Sequence, residues 1–214
     1  MTTPTHAPVA RPRRRPSRLG PVLVGALVVV SAVIAWVLFR RPQLVFTNQL
    51  AGAVSVVAAG EQVRLAPGET HTFPVPGGSS LVVQWTLERP LSANDRPMGE
   101  ELRGSLVIPE PGGRMERSAT ARETGDYFAP LITNATDDGL RVTMNAGLEG
   151  ALDCGCAVRP DARRVFIGYY RLYQNSTVRA RSPSGASATF QELGPKVTAR
   201  DGTVGLRFES KDFR

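Results

Sequence analysis

The sequence predicts an all-β protein: a single N-terminal transmembrane helix followed by one or two immunoglobulin-like antiparallel β-sandwich modules. Three observations carry this. An uncharged apolar run covers Leu19–Phe39. Beyond Arg41, apolar residues alternate with polar ones, the period of a half-buried strand. Those short runs are separated by Gly, Pro and Asp turn clusters, and no later window shows a 3.6-residue stripe.

The first element is a basic tail, residues 1–18. Its arginines are Arg11, Arg13, Arg14, Arg15 and Arg18, and no acidic residue occurs before Glu61. With Arg40 and Arg41 they account for the whole formal charge of +7. From Pro42 onward 19 basic residues balance 19 acidic ones. A nucleic-acid-binding domain needs its Lys and Arg clustered on a folded surface, so this balance excludes that class. The Pro, Thr and Arg content of the tail predicts disorder, with arginines that can touch anionic headgroups.

The second element is a transmembrane helix over 19–39. As a helix the run spans about 31 Å, close to the hydrocarbon thickness of a bilayer. Pro21 falls in the first turn, where no N–H is missed, and Trp36 and Phe39 suit the far interface. Five arginines precede the span and two follow it, which places the N-terminus in the cytoplasm and the rest outside. The alternative is a cleaved signal peptide ending near Val33-Ile34-Ala35. Against it, the apolar run continues through Trp36-Val37-Leu38-Phe39. Ser31 and Ala35 form a small-residue pair able to seat a second helix.

The third and fourth elements are β-modules, 42–130 and 131–214. Leu81, Val83, Trp85 and Leu87 share one face of an extended chain, as do Leu140, Val142 and Met144, and Val204, Leu206 and Phe208. Pro67-Gly68, Pro111-Gly112-Gly113, Asp137-Asp138-Gly139 and Asp201-Gly202 punctuate them. A short helical turn is expected within Asn94–Glu101. A faint repeat supports duplication. Thr47-Asn48 matches Thr133-Asn134 and Val54 matches Leu140, 86 residues on. Leu65, Pro67 and Phe73 match Val158, Pro160 and Phe166 at an offset of 93. The register slips by seven between Gly147 and Cys156, so the second module carries a CGC-containing insertion. One continuous sandwich is the alternative.

Candidate sites are few. Cys154 and Cys156, the two cysteines, form a C-x-C element whose sulfurs project together. They can bond to each other, hold Cu(I) as thiolates, link two chains or lock a loop. Tyr169, Arg171 and Tyr173 alternate along Phe166–Tyr173 and predict an exposed stripe able to bind a glycan or peptide, or a plain aromatic ladder with Arg171 stacked in it. His71 is the single histidine past the span, and a hydrolase or zinc site would rest on it alone, or on it meeting Cys154 and Cys156. No G-x-S-x-G, P-loop or EF-hand pattern occurs. Asn134-Ala135-Thr136 and Asn175-Ser176-Thr177 match the glycosylation acceptor pattern, which matters only in a eukaryotic secretory pathway. The Arg-rich composition looks bacterial.

In the span Leu19–Phe39, the pair Cys154-Gly155-Cys156 and the following Arg159-Pro160, the chain resembles the copper-delivery proteins of cytochrome oxidase assembly. Those have one N-terminal span, an exported immunoglobulin-like domain and two cysteines one residue apart. The resemblance implies copper as cofactor, held by Cys154 and Cys156. The chain departs from it in having Gly155 and Ala157 where that family has aromatic residues.

The functional expectation is a non-catalytic interaction or scaffold element, single-pass in the cell membrane, with its C-terminal part periplasmic or extracellular. Its partners are the lipid bilayer through 19–39 and another envelope protein, with no nucleic acid and no cofactor. The alternative is an exported Cu(I)-binding or thiol–disulfide carrier.

Overall fold

Among the described residues seven strands form the first part of the body, with the cleanest alternation of buried and exposed positions in the second and fifth: β1 (Gln43–Asn48), β2 (Val54–Ala58), β3 (Glu61–Leu65), β4 (Thr70–Pro74), β5 (Leu81–Leu87), β6 (Arg103–Ile108) and β7 (Arg114–Ala119). The second part holds β8 (Tyr127–Ala135), β9 (Leu140–Met144), β10 (Leu152–Val158), β11 (Val165–Phe166), β12 (Tyr170–Arg171), β13 (Val178–Arg181), β14 (Ser187–Phe190) and β15 (Thr203–Glu209). The computed structural model describes residues 27–33, 42–76, 80–122, 125–148 and 151–214.

The chain divides into two units, Met1–Arg40 and Arg41–Arg214. In the first, residues 27–33 are helical. Among the described residues no helix is long and apolar enough to cross a membrane. The expected tail 1–18, and the rest of the expected span 19–39, lie outside the described residues.

The second unit is all-β and sandwich-like. Its first half has sheets ordered β3-β2-β5-β6 and β4-β1-β7. Its second half repeats that order as β10-β9-β13-β14, with β8 between β11 and β12 on one side and β15 on the other. In both halves the first strand pairs in parallel with the last, β1 with β7 and β8 with β15. The remaining pairings are antiparallel.

This order is not the immunoglobulin one, in which the third strand crosses to the second sheet. The reason is a tight hairpin. Ala59 and Gly60 both have positive φ, 53° and 80°, and form the only two residues between β2 and β3. Two such residues make a turn whose twist suits adjacent antiparallel strands, so β3 stays beside β2.

Each half buries its own core. Leu44, Phe46 and Phe73 meet Val56, Val83 and Trp85 in the first. Phe128, Ile132 and Phe208 meet Leu140, Val142 and Val178 in the second. A fully buried side chain of this size contributes about 1.5–3 kcal/mol, so these clusters, not the exposed ion pairs, hold each sandwich. Some residues cross over: Ala129 and Tyr169 pack in the first core and Met98 in the second.

A buried asparagine organises the end of the first strand in each half. Asn48 Nδ2 donates to the Gly52 and Leu65 carbonyls at 2.9 and 3.1 Å, and its Oδ1 accepts from Leu50 N. Asn134 Nδ2 donates to the Asp138, Val158 and Arg159 carbonyls, and its Oδ1 accepts from Thr136 N. Leu65 and Val158 are the residues paired by the 93-residue offset.

The halves meet at a seam. Gly99 and Gly168 have φ of +76° and +106°, and a Cβ on either would come within 2.8 Å of the other segment's backbone. Only glycine permits that approach. Glu100 N donates to the Tyr169 carbonyl at 2.8 Å. The Tyr169 hydroxyl accepts from Ala51 N at 2.8 Å and donates to the Asp201 carbonyl at 2.6 Å.

The helical turn expected within Asn94–Glu101 is absent. That segment is a loop closed by a Leu91–Pro97 bridge, with Asp95 at φ +56°. Pro97 removes an N–H that a helix would need. Among the described residues the unit's helical segments are two 3-10 turns, Gly194–Lys196 and Ser210–Asp212.

Candidate functional site

Cys154-Gly155-Cys156 lies inside β10 and breaks its ladder. Asp153 pairs with Thr143, and the next pair is Ala157 with Arg141. Three residues therefore stand opposite Val142, where a regular strand has one. The bulge brings the two sulfurs into a disulfide, with Cα atoms 5.2 Å apart. Cys154 is buried against the second core, while Cys156 is half-buried and its N–H donates to Cys154 Sγ at 3.2 Å. The seven-residue slip in the repeat is accounted for here. The β9–β10 turn holds seven residues where the β2–β3 turn holds two, and the bulge adds the other two.

Cys156 also lines an open groove of about 450 Å³. Met98, Val165 and Ile167 contribute its apolar wall, and Leu91 and Arg159 stand at it. Leu91 is 58% exposed. It sits in a braced loop: Ser92 N donates to the Arg96 carbonyl, Arg96 N to Ser92 Oγ, and Met98 N to the Pro90 carbonyl. The groove is thus an apolar surface supplied by both halves, with one cation and a disulfide beside it.

The expected Tyr169–Arg171–Tyr173 stripe does not form. Tyr169 is 0% exposed, whereas Arg171 and Tyr173 are open to solvent. Gly168, at φ +106°, kinks the chain between β11 and β12 and resets which side chains face inward. Burial pushes the Tyr169 and Tyr170 phenols well above their ordinary pKa. Arg171 does stack, at 5.4 Å from the Tyr127 ring centroid, and donates to the Tyr127 hydroxyl.

His71 lies in β4, edge-on to Phe73 and 3.4 Å from Glu61 Oε1. Among the described residues no three His, Cys, Asp or Glu side chains gather at metal-holding distance, so His71 does not join Cys154 and Cys156. In the disulfide form neither sulfur is the thiolate that Cu(I) requires. Asn134 is buried with its Nδ2 fully engaged, so it is no glycan acceptor, while Asn175 is exposed.

Sequence reasoning singled out Cys156 and Arg159 but missed Leu91 and Met98. A loop leucine between Pro90 and Ser92 belongs to no periodic pattern. The partial signal was an apolar residue within a turn-rich segment. In comparisons with known proteins, no family model and no curated protein matches the chain.

Proposed function

We propose that this chain is a non-catalytic interaction element held in the cell membrane by residues 19–39, with unit Arg41–Arg214 outside the cytoplasm and binding another envelope protein. The observation that carries the binding role is the apolar groove presenting Leu91 beside Cys156 and Arg159. A braced loop that leaves a leucine in solvent spends no further ordering entropy when a partner covers it. The uncharged run and the arginines before it support the topology.

Two experiments test this. External protease on intact spheroplasts should degrade the C-terminal unit, and protection of that unit sinks the topology. A photo-crosslinker placed at Leu91 in cells should give one discrete adduct that Arg159→Glu abolishes. An adduct pattern unchanged by that substitution overturns the groove as the binding surface.

The disulfide favours a second reading, an exported thiol–disulfide or Cu(I) carrier. A partner thiolate attacks one sulfur, forming a mixed disulfide and releasing the other cysteine as thiolate. A second partner thiolate then completes the exchange, so the partner's dithiol loses two electrons to Cys154–Cys156. Cu(I) binding requires that reduction first. Cys154→Ser leaves Cys156 as a free thiol, which should attack a partner's disulfide, release one partner thiolate and stay held as a mixed disulfide; failure to trap one with a small-molecule disulfide removes this reading.

A further inference from the structure

The two halves protect their sheet edges differently. Strand β14 is the outer strand of its sheet, and the segment Phe213-Arg214 closes it. Ser187 N donates to the Arg214 carbonyl at 3.1 Å, and Arg214 N donates back to Ser187. The neighbouring Phe213 ring packs towards Phe208 at 6.2 Å. Strand β6 holds the same place in the first half, with Gly104 opposite Trp85 as Ala188 is opposite Ala180. Among the described residues β6 pairs with β5 alone.

Four other edges carry devices that block pairing. Strand β10 has a bulge, β4 ends in Pro74, β3 carries Glu61 and Arg64, and β7 carries Arg114, Glu116 and Arg117. The interior of β6 is Gly104-Ser105-Leu106-Val107, with no charge or proline. Its ladder to β5 fixes which groups point away. Leu87 N donates to the Leu102 carbonyl, so alternation sends the backbone groups of Arg103, Ser105 and Val107 outward.

The inner face of that edge is apolar, while the outer face mixes Arg103 and Ser105, opposite Thr86 and Gln84, with one apolar pair. On the outer face Val107 stands opposite Val82, and they are 58% and 47% exposed. On the inner face a slot of about 230 Å³ opens between β6 and β7, lined by Phe46, Val83, Trp85, Gly104, Leu106 and Arg117. In the second half Phe190 replaces Leu106 and packs on Phe208 at 4.9 Å.

We infer that β6 receives an extended segment of a partner protein as an added antiparallel strand, with an aromatic side chain opposite Gly104 and acidic residues near Arg103 and Arg117. The second half shows the occupant's form in miniature: Arg214 lies opposite Ser187, which places Phe213 beside Ala188, the counterpart of Gly104. Backbone bonds to Arg103, Ser105 and Val107 give affinity, and the Trp85 slot gives selectivity. This rests on the interaction-element reading and names a second seat, apart from the Leu91 groove.

The test uses the full-length chain and a synthetic nine-residue peptide alternating phenylalanine and threonine, with aspartate at each end. Hydrogen exchange at the Arg103, Ser105 and Val107 amides should slow on binding, while the Leu91 loop stays unchanged. Ser105→Pro removes an outward N–H and leaves the β5 ladder intact, so it should weaken binding by about tenfold or more without lowering the unfolding midpoint. Val107→Lys should weaken it similarly and guards against misfolding of the proline variant. Absence of binding at millimolar peptide, protection at other amides, or affinity indifferent to both substitutions would overturn the proposal. So would a dimer formed through β6 that excludes the peptide. The spheroplast and Leu91 experiments read other residues, so each idea can fail separately.

Discussion

Asn48 and Asn134 do the same work in two halves that otherwise diverge at their rims. Both halves share one strand order, one parallel closing pair and a buried asparagine at the end of the first strand. They differ at two places. The second hairpin has a longer turn, a bulge and a disulfide where the first has two turn residues. Among the described residues the first half leaves β6 without a second neighbour, where the second half covers β14 with Phe213-Arg214. Strand order depends on short turns and on satisfied buried polar groups, which tolerate little change. Edges and hairpin tips face solvent and are free to acquire a groove or a docking strand.

The comparison is most severely tested at the asparagines. Asn134→Ala strips partners from three carbonyls and from Thr136, and should lower stability by about 3–5 kcal/mol. Asn48→Ala removes three bonds and should lower it by about 2–4 kcal/mol. Urea unfolding reads both, and a neutral result at either position breaks the equivalence. Next comes the seam. Tyr169→Phe leaves Ala51 N–H and the Asp201 carbonyl unpaired, for about 2 kcal/mol. Tryptophan fluorescence and far-UV circular dichroism should then cease to report one coincident transition.

A smaller effect is expected at the insertion. Replacing Cys154 and Cys156 with serine releases a very short loop, so the loss should be about 1–2 kcal/mol and confined to the second half. Exchange rates in β2 and β3 should not move. Alkali sharpens the seam further. Because burial raises the Tyr169 phenol above its ordinary 10.0, the stability it lends is whole below pH 10 and declines as pH rises beyond it. Absorbance titration should show Tyr169 and Tyr170 ionising only with unfolding, and earlier ionisation would refute their burial.

The smallest effect is at Glu209. Hydrogen bonds from Lys211, then Arg207, hold its carboxyl at about 2. The stability it lends is present above its ordinary 4.5 and fades as pH falls towards 2. The group is exposed, so salt should erase the shift, and a side-chain NMR titration at two ionic strengths reads it.

Much of the fold was legible from residues alone. The alternation over Leu81–Leu87 specifies a strand with one buried face, and β5 has it. The offsets of 86 and 93 fall on Asn48 with Asn134 and on Leu65 with Val158, which the structure gives matching bonds. The site was less legible. Alternation was extended through Phe166–Tyr173, but Gly168 interrupts it and Tyr169 turns into the seam. Leu91 and Trp85 acquire meaning only from what lies across from them, Ile167 and Met98 in one case and Gly104 in the other.

By itself the sequence determined the strand periods, the turns, the neutral charge of the body and the place of the insertion, because each follows from near neighbours along the chain. Tertiary structure alone decided the sheet order, the burial of Tyr169, the groove at Leu91 and the open edge at β6. Those depend on which segments approach each other across long separations, where a two-residue turn, a pair of facing glycines and one hydroxyl select among arrangements that the same alternation would permit.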